Sequence, residues 1–163
     1  MEIYLIRHGI AVDRGTYDDD EQRPLTTKGR SKTTKVTDTL LAKGVEFDLI
    51  LSSPLVRAYQ TAEILRQANL SQQLVTFEAL KPNGDIEKFT SWLKKQDREQ
   101  NSTIALIGHQ PDLGNWAEIL IWGTIKGQIV VKKAGVIGLK LPEIGTPIAR
   151  STLFLLTSPK WII

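Results

Sequence analysis

The sequence predicts one α/β domain built on a largely parallel sheet, and three observations lead there. Short, apolar, β-branched runs recur at Ile3-Tyr4-Leu5-Ile6, Leu49-Ile50-Leu51 and Ile104-Ala105-Leu106-Ile107. Strands buried on both faces of a parallel sheet read this way. Stretches with helical periodicity alternate with those runs, as βαβ units require. The 163 residues suffice for a core of their own, and no repeat, low-complexity tract or linker divides them, so residues 1–163 form a single domain.

Residues 2–7 make the first strand, which ends at His8-Gly9. The polar stretch Asp18-Asp19-Asp20-Glu21 and the following Arg23-Pro24-Leu25 read as a loop. Thr26 or Thr27 caps a helix that runs to Lys43, with Val36, Leu40 and Leu41 on its apolar stripe and Gly44 as its stop. Residues 48–52 form the next strand. Ser53-Pro54 has the composition of a helix start, Ser as N-cap and Pro at the first helical position. That helix carries Leu55, Ala58, Ala62 and Leu65 and ends near Asn69. A strand near 74–78 and a turn at Pro82-Asn83-Gly84 precede a helix capped by Asp85 and holding Ile86, Phe89, Trp92 and Leu93. Residues 103–107 form a strand that leads through His109 into a helix with Leu113, Trp116, Ala117 and Leu120, closed by Gly123. Residues 127–132, 136–141 and 152–156 are expected to add strands at a sheet edge.

Composition excludes several classes. Hydrophobic residues make up 41% and charged residues 24%, as in ordinary globular domains. The net charge of +3 comes from 21 basic and 18 acidic side chains that are scattered along the chain, so nothing calls for a nucleic-acid or membrane partner. The absence of cysteine removes thiol nucleophiles and disulfides together. The first strand starts within two residues of Met1, which leaves no room for a signal peptide. No apolar run approaches the ~20 residues of a membrane span. A cytoplasmic location is expected.

The chain has only two histidines, and both close an apolar strand: His8 follows Ile6-Arg7 and His109 follows Ile107-Gly108. Ligands of open α/β sheets bind beyond the carboxyl ends of the strands. A single buried histidine is most often a core residue with its hydrogen bonds met, but two delivered to one rim mark a site. Arg7 leaves the first strand beside His8, and a guanidinium there needs an anionic partner. Arg57 falls near the start of a helix, where the positive end of the dipole disfavours cations. It fits there if backbone N–H groups, dipole and guanidinium converge on one phosphate-like anion.

Competing chemistries lack their motifs. There is no Gly-Lys-Ser/Thr phosphate loop, no three-glycine dinucleotide turn and no Gly-x-Ser-x-Gly elbow. Two histidines are too few for a usual dinuclear metal site. What remains is a metal-free, cofactor-free phosphate pocket of Arg7, His8, Arg57 and His109. There an imidazole can attack phosphorus while cations stabilise the equatorial oxygens.

Three blocks carry a family resemblance. Leu5-Ile6-Arg7-His8-Gly9 resembles the Arg-His-Gly signature of the histidine phosphatase superfamily. Ser53-Pro54-Leu55-Val56-Arg57-Ala58-Tyr59-Gln60-Thr61 resembles its Ser-Pro-x-x-Arg-Ala-x-x-Thr block, and Ile107-Gly108-His109-Gln110-Pro111 its third. The resemblance spans nearly the whole chain. It implies a phosphoglycerate-mutase-like fold, a three-layer sandwich with a mostly parallel central sheet flanked by helices. Arg23-Pro24-Leu25-Thr26 with Gly29, and Leu80, Pro82 and Gly84-Asp85, are similar to the SixA-type phosphohistidine phosphatases. That likeness implies His8 as the phosphorylated nucleophile and Arg7, Arg57 and His109 as ligands of the phosphoryl group. Gly9, Arg23 and Asp20 join the expected substrate-binding set. The implied partner is the phosphorylated histidine-containing phosphotransfer domain of a sensor-kinase relay, or another phosphoprotein.

One position departs from the family pattern. Mutase-like members carry a Glu proton donor where this chain has Ala79, and Glu78 lies one residue earlier. In a strand, that shift turns the side chain to the opposite face. A missing acid disfavours alkoxide leaving groups. The expected function is therefore a metal-independent phosphohistidine phosphatase. The alternatives are a phosphatase of small phosphate esters or sugar phosphates, and a phosphate-binding module without turnover.

Overall fold

A computed structural model describes residues 1–96 and 101–163. One six-stranded sheet, ordered β3-β2-β4-β1-β5-β6, forms its middle layer. The strands are β1 (Glu2–Arg7), β2 (Leu49–Ser52), β3 (Leu74–Thr76), β4 (Thr103–Gly108), β5 (Val136–Lys140) and β6 (Thr152–Thr157). The first four run parallel; β5 pairs antiparallel with β1, and β6 with β5. Alternate residues face opposite layers, as strand geometry dictates. Leu5, Leu51 and Leu106 pack with Phe89 of α3 (Ile86–Lys95) and with Trp116 and Leu120 of α4 (Asp112–Trp122). Ile6, Ile50 and Ile107 pack with Val36 and Leu40 of α1 (Thr27–Ala42) and with Ala58 and Leu65 of α2 (Val56–Gln67). This is the expected three-layer α/β sandwich. A short α5 (Pro159–Ile162), not foreseen, closes the chain against α1, where Thr39 Oγ1 donates to the Ile162 carbonyl at 2.8 Å.

Three expectations need correction. Residues 127–132 form no strand: the N–H groups of Gly127, Gln128 and Ile129 go to the Glu118 carboxylate, and Val131 N–H goes to Gln110 Oε1, so the donors a ladder needs are taken. Helix α2 begins at Val56 with Leu55 as N-cap, instead of at Pro54 with Ser53 as cap. The Ser53 hydroxyl lies 2.8 Å from His109 Nε2, in the site. Strand β3 stops at Thr76, and Glu78 opens a 3-10 turn, so strand parity does not govern that side chain.

The topology assembles the site. β1 and β4 are parallel neighbours with Arg7 opposite Gly108, so His8 and His109 leave the sheet side by side. β2, on the far side of β4, delivers Ser53 and the start of α2 to the same rim. Close backbone approach fixes the loop after β1. A Cβ on Gly29 of α1 would lie 1.9 Å from the Ile10 carbonyl oxygen, and one on Gly9 would lie 2.4 Å from Thr33 Oγ1.

Candidate active site

The two imidazoles lie with ring centroids 5.1 Å apart and planes tilted by 57°. His8 Nδ1 is 2.7 Å from the Gly9 carbonyl oxygen. A carbonyl only accepts, so Nδ1 carries the proton and Nε2 keeps its lone pair. Both rings are buried, at 6% and 4% exposure. Burial, then the charge of His109, Arg57 and Arg7, pushes the His8 imidazolium well below its ordinary pKa, against the opposing Gly9 hydrogen bond. Burial and the same two arginines bring His109 down to about 3.

Both imidazoles are therefore neutral at physiological pH, as a nucleophile and a hydrogen-bonding ligand need. Neither set of histidine ring protons should titrate between pH 5 and 8 in NMR spectra of the free protein. A midpoint near 6.5 for either ring would contradict this. The linkage has a definite sign. Below about pH 6.5 the unfolded chain binds protons at these rings while the folded one does not, so acidification lowers stability.

The guanidiniums come from two directions. Arg7, at the end of β1, donates from Nη1 to the Val131 carbonyl at 3.0 Å. Arg57 occupies the second position of α2, 3% exposed, and donates from Nη1 to the Asp20 carbonyl at 2.8 Å. Its Nη2 pairs with Asp20 Oδ2 at 3.1 Å. The Nε atoms of both arginines are buried without a hydrogen-bond partner, an unmet demand of the kind that functional sites tolerate.

Arg7, His8, Arg57 and His109 share a cavity of about 400 Å³, and Arg23 lines it too. Asp20 does not. Its carboxylate bridges Arg57 and Arg23, the latter at 2.7 Å, and bonding to Arg23 holds it below the usual carboxylate range. Asp20 thus orients two cations and is poorly suited to give up a proton. Gly9 is not a lining residue, and its N–H is taken by Thr61 Oγ1 at 3.0 Å. Glu78 points to solvent and pairs with Lys81 at 3.3 Å.

Sequence reasoning missed Arg14, Lys133 and Asp112, which also line the cavity. Lys133 follows another Lys just before a strand and looks like any solvated pair. Asp112 occupies the first turn of α4, where an acid is expected for the helix dipole alone. Burial raises its pKa, against an opposing hydrogen bond from Asn83 N–H at 3.2 Å. Among the described residues no group of three or more His, Cys, Asp or Glu side chains could hold a metal ion. No helix of the described residues is long and apolar enough to cross a membrane.

The family model for the histidine phosphatase superfamily (branch 1) matches residues 3–110, a span that includes all four residues of this cluster. The chain belongs to the histidine phosphatase superfamily. It is 31% identical over 116 residues to the phosphohistidine phosphatase SixA of Escherichia coli (strain K12), covering 70% of each chain. An uncharacterized protein of Picosynechococcus sp. is 45% identical over 164 residues, covering 100% of this chain and 99% of that one. A solved structure of the protein histidine phosphatase SixA complexed with tungstate superimposes with a TM-score of 0.86 at 26% identity over the full length of both chains. A putative SixA from Agrobacterium tumefaciens shares the fold, with a TM-score of 0.77 at 22% identity over 97% of each. By class the chain is a phosphatase, a hydrolase of phosphoryl compounds.

Proposed function

We propose that this protein removes the phosphoryl group from phosphohistidine on a partner protein, without a metal and through a phosphorylated His8. One observation carries the reading: a neutral His8 with Nε2 unprotonated, in a cavity it shares with the partly buried Arg7, the buried Arg57 and His109. The Nε2 lone pair attacks phosphorus, and the P–N bond to the substrate imidazole breaks with its electron pair on that ring. Water then attacks the phosphohistidine on His8, releasing inorganic phosphate and the free imidazole. Arg7 and Arg57 neutralise the equatorial oxygens in both steps. That a SixA structure of this fold was solved in complex with tungstate, a tetrahedral oxyanion, supports a phosphoryl ligand for a protein of this kind.

The leaving group supports a phosphoramidate substrate. Ala79 stands where a donor acid is expected, and Glu78 lies outside the cavity. Substrate phosphohistidine leaves as neutral imidazole once its other ring nitrogen is protonated, whereas phosphoserine or a sugar phosphate must expel an alkoxide. The natural partner is then a histidine-containing phosphotransfer domain or similar phosphoprotein in the cytoplasm. General-acid help is worth ~100-fold or more. Phosphohistidine and aryl phosphates, assayed in chelator, should therefore turn over at least that much faster than sugar phosphates or phosphoserine.

Asp112 favours a second reading, a phosphatase of small esters, because its half-buried carboxyl lines the cavity and its pKa is raised by burial. Equal rates for alkyl and aryl phosphates, abolished for the alkyl ones in Asp112→Asn, would establish that reading and overturn the first.

A further inference from the structure

The segment that replaces the expected strand after α4 links a buried carboxylate to Arg7. Glu118, on α4, is fully buried, and among the described residues no cation forms an ion pair with it. Its two oxygens instead accept four consecutive backbone N–H groups: Lys126, Gly127 at 2.7 Å, Gln128 at 2.5 Å and Ile129 at 2.7 Å. Burial opposes its ionisation, but these four donors hold its pKa below the usual value, so the carboxylate is charged. Charge-assisted bonds of this kind are strong, and four of them fix the course of the strap. Gln110, next to His109, holds the strap farther on through the Ile129 carbonyl and the Val131 N–H, each at 3.2 Å. The Val131 carbonyl then accepts the Arg7 guanidinium at 3.0 Å. Gly114, one turn before Glu118, permits the close approach: a Cβ there would lie 2.0 Å from the Ile129 carbonyl oxygen.

We propose that Glu118 is a positioning residue for the phosphoryl site, its carboxylate fixing the 126–131 strap so that the Val131 carbonyl sets the Arg7 guanidinium at the cavity wall. Glu118 touches no substrate and acts through Arg7. The inference rests on the pocket being a phosphoryl site, and it is independent of which phosphoryl compound is the substrate.

A double-mutant cycle read by vanadate affinity in calorimetry tests it, so a failure of the phosphohistidine assignment leaves the result interpretable. Glu118→Gln keeps the shape but turns one acceptor oxygen into an amide donor facing N–H groups. It should weaken vanadate binding about 10-fold or more, the scale on which outer partners tune a liganding group. In an Arg7→Ala background the same change should cost nothing further. Equal losses in both backgrounds, or a lowered melting temperature with vanadate affinity unchanged, would overturn the proposal. If Glu118→Gln does not fold, Gly114→Ala carries the same cycle, since it pushes the strap from the helix side and keeps the carboxylate. A loss that vanishes without Arg7 supports the proposal, and one that persists, or no loss at all, defeats it.

Discussion

Replacing His8 by Ala is expected to abolish turnover, lowering kcat on the order of 10⁴-fold or more, because neither a thiol nor an unengaged second imidazole is present to replace it as nucleophile. The chain has no cysteine, and its only other imidazole, His109, is already engaged through Nε2 with Ser53 Oγ at 2.8 Å. His8 is held for attack by its own neighbour: the Gly9 carbonyl fixes the tautomer, and burial keeps the ring neutral. The variant should still bind vanadate, since Arg7, Arg57 and His109 remain in the cavity. Steady-state turnover of an aryl phosphate, with vanadate binding as the control for folding, measures the effect. Near-normal turnover would remove His8 from the chemistry.

Arg57→Ala should cost about 100- to 1,000-fold in kcat, the usual loss for one preorganised donor to a developing oxyanion. Two effects add. The direct one is loss of a buried cation at the positive end of α2, where the proposed phosphoryl group would meet both dipole and guanidinium. The indirect one is release of the Asp20 loop, whose carbonyl and carboxylate both bond to Arg57. Arg57→Lys separates them: charge is kept, but the planar fork that reaches two Asp20 oxygens is lost, so activity should stay well below that of the native enzyme. Full activity in the Lys variant would mean that the site needs only a point charge.

The parallel core of this fold could be read directly because its residues obey local rules. Runs such as Leu49-Ile50-Leu51 and Ile104-Ala105-Leu106-Ile107 are buried on both faces in the structure, as their unbroken hydrophobicity requires. His8, His109, Arg7 and Arg57 were legible because each occupies a place where its type is uncomfortable without a ligand. Two of the misreadings come from side chains that bond outside their own element. Ser53 looked like a helix cap, yet its hydroxyl serves His109, 56 positions away. Residues 127–132 looked like a strand until Glu118 claimed their donors, and no local pattern in Glu118-Ile119-Leu120 announces that bond. Asp20 and Gly9 support the site from behind, a distinction between lining and backing that only packing reveals.

The central claim is that a phosphoryl group passes through His8. Rapid acid-free quenching of the native enzyme with ³²P-labelled aryl phosphate, followed by peptide mapping, tests it most directly. The expected result is one label per chain, stable to base and labile to acid, on Nε2 of His8 and absent in His8→Ala. Steady turnover without any protein-bound phosphate at the shortest times, or a label that survives on another residue when His8 is replaced, would contradict it.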